Sequence, residues 1–160
     1  MRPNWRNEVL KHISSGQLEA MTNCKRKGAT HWLTRNVLRN APKPSGAGKR
    51  VRWTADQSVG FAIARALVHA GFPIGSVDAM VRAIRFFKGS VVAIRKDADP
   101  EAGMKLHPWI AVDGTGYEFA NVTAENTLDV FTGTTPAVAV VVNVAEIERD
   151  ILAKFEALAD

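Results

Sequence analysis

The sequence predicts an α+β chain, and three observations carry that expectation. Apolar residues recur at spacings of three and four as far as residue 87, the mark of amphipathic helices. From residue 90 β-prone runs such as Val91-Val92 and Ala137–Val142 take over, with Asp113-Gly114 as a hairpin turn signal. Charge divides in the same way: residues 1–54 hold twelve Lys/Arg against Glu8 and Glu19 only, whereas residues 91–160 hold five against twelve acids. A helical domain over 1–88 and an α+β domain over 89–160, a small antiparallel sheet plus a C-terminal helix, follow from the change of period.

Composition narrows the classes further. With 160 residues and 46% hydrophobic side chains, the chain can bury a core without staples. Cys24 is the single cysteine, so no intramolecular disulfide forms, and no Cys/His cluster suggests a metal site. No run of about eighteen apolar residues is present, so no membrane span is expected. The N-terminal MRPNWRNEVLKHISS has charges where a secretory signal needs an apolar stretch, so the expected location is the cytoplasm.

Taken in order, residues 4–13 have helical spacing through Trp5, Val9, Leu10 and Ile13, and Ser14-Ser15-Gly16 interrupts them. Leu18 and Met21 lead into the basic run Cys24-Lys25-Arg26-Lys27 and the breaker Gly28. Thr30 is then a cap for a helix over 30–39 that includes Trp32, Leu33, Val37 and Leu38, with Arg35 and Arg39 facing outward. Two prolines and two glycines make residues 41–50 a basic loop. Val51-Arg52-Trp53 is a short extended piece. Thr54 and Gln57 form a capping box, with Trp53 where a hydrophobic staple begins. The helix they open carries Val59, Ile63 and Leu67 on one face and ends at Gly71, suited to a left-handed cap. Ser76 caps a further helix through Phe87.

Beyond residue 90, Val91–Ile94, Trp109–Val112, Tyr117–Val122, Leu128–Phe131 and Ala137–Val142 are strand candidates, and Asp97–Gly103 is a polar loop. In the third of these, Tyr117 and Phe119 alternate with Glu118. Asn143 caps the last helix, with Glu146 in the box position and Ile147, Ile151, Phe155 and Leu158 as its apolar stripe.

A solvated surface does not require twelve bases facing two acids. Charge of one sign over 54 residues points to a polyanion. Arg35 and Arg39 on a helix, followed by a loop ending in Lys49, Arg50 and Arg52, pair a rigid rod for a major groove with a clamp for phosphates.

The segment Gly48-Lys49-Arg50-Val51-Arg52-Trp53-Thr54, the helix after it, and Leu67-Val68-His69-Ala70-Gly71-Phe72 resemble the DNA-binding domain of MerR-family transcriptional regulators. The resemblance covers about residues 18–87. Arg52-Trp53-Thr54 stands in the family's Arg-Tyr-Ser place, and Thr34–Arg39 around its recognition helix. It implies a winged helix-turn-helix-like head with a basic wing over 42–53. The candidate DNA contacts are Lys25, Arg26, Lys27, Thr30, His31, Thr34, Arg35, Arg39, Lys43, Lys49, Arg50 and Arg52. The family's long coiled coil is absent after Phe86-Phe87-Lys88-Gly89, and its cysteine metal ligands have no counterpart.

Other residues read more plainly. Trp5, Trp32 and Trp53 suit core positions better than base stacking. His12, His31, His69 and His107 are scattered. Cys24, beside Lys25 and Arg26, is either a redox-sensing thiol or an inert half-buried one. Asp97, Asp99, Glu101, Asp113, Glu118, Glu125 and Asp129 show no paired-acid or nucleophile pattern and are expected as a solvated face. No catalytic residue and no cofactor are expected. The stripe Ile147, Ile151, Phe155 and Leu158 suits either cover for the domain's own sheet or a homodimer contact, and Ala137–Val142 as an edge strand offers a second route to a dimer.

The expected protein is a homodimeric, sequence-specific regulator of transcription that binds double-stranded DNA. The alternative is a protein-interaction adaptor or anti-repressor whose helical head binds another protein. RNA binding is a third reading, disfavoured because Tyr117 and Phe119 lie in the acidic half.

Overall fold

The computed structural model describes residues 12–44, 46, 50–87, 90–96, 109–112, 115–122 and 139–158. They form helices and two antiparallel sheets, an α+β fold. The chain groups into two units. One comprises residues 1–61 and 150–160, the other residues 62–149.

In the first unit, strand β1 (Ile13–Ser14) pairs antiparallel with β2 (Arg52–Trp53), matching Ile13 to Trp53 and Ser14 to Arg52. Ile13 is therefore a buried strand residue and not the end of a helix; the rest of the expected 4–13 helix, apart from His12, lies outside the described residues. Ser14 does not merely interrupt. It caps helix α1 (Ser15–Met21): the Gln17 amide donates to Ser14 Oγ at 3.2 Å, and the Ser14 amide donates to Gln17 Oε1 at 2.7 Å. Helix α2 (Gly28–Thr34) follows, and α3 (Ala55–His69) opens on the expected Thr54–Gln57 box, with contacts of 3.0 and 3.3 Å.

The core of this unit is aromatic. The Phe61 ring centroid lies 5.1 Å from that of Trp32 and 5.5 Å from that of Trp53, tilted and edge-on respectively, arrangements that suit opposed ring quadrupoles. Trp53 is buried and its indole donates to Ser15 Oγ at 3.0 Å, so the polar end of the ring is satisfied. Trp32 is only half-buried.

In the second unit, α3 ends as expected. Gly71 has φ +95°, the Phe72 amide donates to the Leu67 carbonyl at 3.1 Å, and the Gly71 amide donates to the Val68 carbonyl at 3.0 Å, a Schellman pattern. Helix α4 spans Val77–Arg85, shorter than expected, and buries Val77, Met80, Val81 and Ile84. Ser76 stands at its start without capping it. Its hydroxyl donates back to the Pro73 carbonyl at 2.7 Å, which commits it to the preceding turn.

Strands β3 (Val91–Lys96), β4 (Trp109–Val112), β5 (Thr115–Val122) and β6 (Val140–Asn143) form an antiparallel sheet in the order β4-β5-β3-β6. The register sets Val112 opposite Thr115, on either side of the expected hairpin turn; Asp113 and Gly114 themselves lie outside the described residues. So do Asp97–Gly103, Leu128–Phe131 and the first residues of the Ala137–Val142 run. Among the described strands β6 is an edge, and the Phe72 ring meets Tyr117 edge-on at 5.8 Å.

Glu118 corrects a sequence expectation. It is fully buried, 0% exposed, and not part of a solvated face. It sits opposite Arg95 across β3 and β5, and Glu118 Oε2 lies 2.6 Å from Arg95 Nη2. The contact is close enough for an ion pair, although among the described residues the Glu118 carboxylate oxygens have no well-aligned hydrogen-bond partner. Asn143 opens the last helix, α5 (Val144–Leu158), by accepting from the Glu146 amide at 3.0 Å.

Candidate nucleic-acid interface

Glu19, one of the two acids in the basic segment, is where the arrangement starts. It is buried on α1, and its Oε1 accepts from the Ala29 amide at 3.1 Å. Ala29 is in the first turn of α2, whose amides lack partners within the helix and carry the positive end of its dipole. The cap residue itself, Lys27, has φ 65° and makes no side-chain cap bond, so the carboxylate of the preceding helix supplies what a local cap does not. Asn23, at φ 49°, and Lys27 both adopt left-handed backbone in the turn between α1 and α2. The Cys24 amide donates to the Glu19 carbonyl at 2.8 Å, and the Gly28 amide to the Lys25 carbonyl at 2.8 Å.

Gly28 is therefore not a breaker. It is the first residue of α2, and a Cβ there would meet Cys24 Sγ well inside van der Waals contact. Cys24 is half-buried as a result of this packing.

The expected helix over 30–39 is corrected at both ends. The Asn36 amide donates to the Leu33 carbonyl at 3.0 Å, the Val37 amide to the Trp32 carbonyl at 3.0 Å, and Asn36 has φ 51°. This is a second Schellman ending, with asparagine in the left-handed position. Arg35 is thus the C-cap of α2, while Val37, Leu38 and Arg39 lie beyond the helix. Leu38 turns inward and is buried, and Asn40 Nδ2 donates to Asp56 Oδ2 at 3.3 Å.

Ala29 is buried and Trp32 and Leu33 are half-buried, so the opposite side of α2 meets solvent. That side carries Lys27, Thr30, His31, Thr34 and Arg35, all exposed, at spacings of three, one, three and one. The Thr34 hydroxyl donates to the Thr30 carbonyl at 3.0 Å. Lys25 and Arg26, in the turn ahead of the helix, are exposed too. The remaining candidate contacts are spread over the chain that returns to β2: Arg39, Lys43, Arg50 and Arg52 are exposed, and Lys49 lies outside the described residues. Arg52 is held by its pairing with Ser14, beside the start of α1.

Unit one as a whole holds thirteen Lys/Arg against six Asp/Glu, a net +7, and unit two eight against ten, a net −2. Among the described residues no three His, Cys, Asp or Glu side chains come together as a metal would require, and no helix is long and apolar enough to cross a membrane.

The candidate dimer stripe is divided between the units. Ile151 and Phe155, in the first, are 3% and 4% exposed, so they are already covered within one chain. Leu158 is 39% exposed, and its carbonyl accepts from Gln17 Nε2 at 3.1 Å. Ile147, in the second unit, is half-buried.

Sequence reasoning missed Glu19 and the early end of α2. The first had no local signal, because the bond joins residues ten apart. The second had one, Asn36, a residue that tolerates left-handed backbone.

Fold and site together define an α+β protein with a basic unit that presents a polar, cationic helix face. No protein-family model matches the chain, and a comparison with curated proteins finds no match.

Proposed function

We propose that the chain is a cytoplasmic, sequence-specific regulator of transcription that binds double-stranded DNA as a homodimer. One observation carries the reading: α2 turns Lys27, Thr30, His31, Thr34 and Arg35 to solvent in a unit of net charge +7. A helix with such a face fits a major groove, and Lys25, Arg26, Lys43, Arg50 and Arg52 supply cations for the flanking phosphates. The work done is positioning and readout, with no bond made or broken. Two copies would read two half-sites about one helical turn, roughly 34 Å, apart.

The test is a titration of the full chain against duplex DNA at about 50 and about 200 mM salt, where neutralising roughly four phosphates weakens binding about a hundredfold. Binding indifferent to salt, or none, overturns the reading. Replacing Lys43, Lys49 and Arg50 by Ala separates it from the protein-adaptor alternative. A DNA clamp loses affinity for every duplex alike, whereas a head that binds a protein tolerates the change.

A further inference from the structure

The exposed face of α2 has a chemistry narrower than positive charge. Lys27 and Arg35 stand at its two ends, Thr30 and Thr34 between them, and His31 at the centre. An ammonium and a guanidinium are donors only. The stripe has no carboxylate and no carboxamide. It therefore offers no acid to accept from cytosine N4 and no Asn or Gln for the paired donor and acceptor of adenine N6 and N7. Guanine is the base whose major-groove edge shows two acceptors, O6 and N7, and thymine the one that shows a methyl group. The Thr34 hydroxyl proton is committed to the Thr30 carbonyl, which leaves its methyl and oxygen lone pairs for a ligand.

Length sets the size of the segment read. From Lys27 to Arg35 the helical rise is about 12 Å, which matches three to four base pairs at about 3.4 Å each. Asn36, the next residue, has left-handed φ and takes the chain out of the helix.

We infer that α2 reads a segment of three to four base pairs with guanine facing Lys27 and Arg35 and thymine methyl groups facing Thr30 and Thr34. The inference rests on the DNA-binding reading and adds the base chemistry of the target.

The full chain is used to enrich a random duplex library, and binding to the enriched duplex is followed by fluorescence polarisation. Deazaguanine removes the N7 acceptor, deazaadenine does the same for adenine, and uracil in place of thymine removes the methyl group. Deazaguanine at the contacted positions weakens binding about tenfold or more, and uracil weakens it several-fold. Deazaadenine leaves it unchanged. Arg35→Ala, a change at an exposed C-cap, abolishes the deazaguanine penalty at one position and keeps it at the other. An enriched motif without guanine overturns the inference. So does a deazaadenine penalty as large as that of deazaguanine, or an Arg35→Ala variant that keeps both guanine penalties. Salt-dependent binding of random duplex with no enriched motif overturns the base-reading stripe alone. Absence of salt-dependent binding to any duplex overturns the DNA-binding reading with it.

Discussion

Gly28 shows how one atom governs the position of a helix. A methyl group there would collide with Cys24 Sγ, which packs against the first turn of α2. The two backbones are held, Cys24 to α1 by the hydrogen bond from its amide to the Glu19 carbonyl and Gly28 to the turn by its bond to Lys25, so the sulfur must rotate away about χ1 or the helix must shift. Gly28→Ala is expected to cost about 1–3 kcal/mol, the usual range for overpacking. Cys24→Ala in the same chain removes the colliding sulfur and recovers most of the loss, a coupling that a double-mutant cycle measures by urea denaturation. Equal costs for Gly28→Ala with and without the sulfur would show that backbone effects dominate. The same packing gives Cys24 a structural role that its basic neighbours in sequence did not suggest. Glu118 makes the parallel point in the second unit. Alternation with Tyr117 and Phe119 placed it toward solvent, yet both sides of β5 are covered there, and the carboxylate lies across from Arg95.

At the scale of elements, three local capping signals hold, while Ser76 and Thr30, expected as caps, do not cap their helices. The Thr54–Gln57 box, the Gly71 ending and the Asn143 cap all depend on residues within five positions of one another, and each forms as its residues predict. Ser14-Ser15-Gly16-Gln17 carried the same box pattern, and reading Ser14 as an interruption overlooked α1. Helix α2 went wrong for a different reason. Its apolar positions continue through Val37 and Leu38, so periodicity extended it, while Asn36 ends it by left-handed backbone. Ser14→Ala should lower stability by about 1 kcal/mol, since the Gln17 amide loses its acceptor at the start of α1. Ser14→Asp, which keeps an acceptor and complements the dipole, should hold most of it. Thermal unfolding of the two variants checks the ordering, and an alanine variant as stable as the parent would mean that the box contributes nothing.

Over the whole molecule, the grouping of residues 150–160 with residues 1–61 changes what can be cut from what. A chain ending near residue 90 looks like a complete basic head in sequence, but it lacks Ile151 and Phe155, both buried in the first unit, and the Leu158 carbonyl that holds Gln17. Such a fragment should be markedly less stable than the full chain. Ile151→Ser with Phe155→Ser should act in the same way, lowering the melting temperature and the helical circular dichroism together instead of only separating two copies. Sedimentation with circular dichroism decides between these outcomes. A pair of variants that stay folded and lose only mass would restore the stripe as a dimer contact. Which partner a buried apolar stripe meets is a question of the whole chain, since every copy of the stripe is equally suited to its own unit or to another.

The amino-acid sequence by itself determined the α+β class, the switch of period near residue 90, the charge polarity and the capped ends of α3 and α5, because each depends on composition or on residues a few positions apart. Only the tertiary structure decided that Glu19 caps α2 from the neighbouring helix, that Glu118 pairs with Arg95 across two strands, and that Ile151 and Phe155 complete the first unit. Those are contacts between residues distant along the chain. Burial turns the same polar or apolar side chain into a cap, an ion-pair partner or a core residue according to what the fold brings against it.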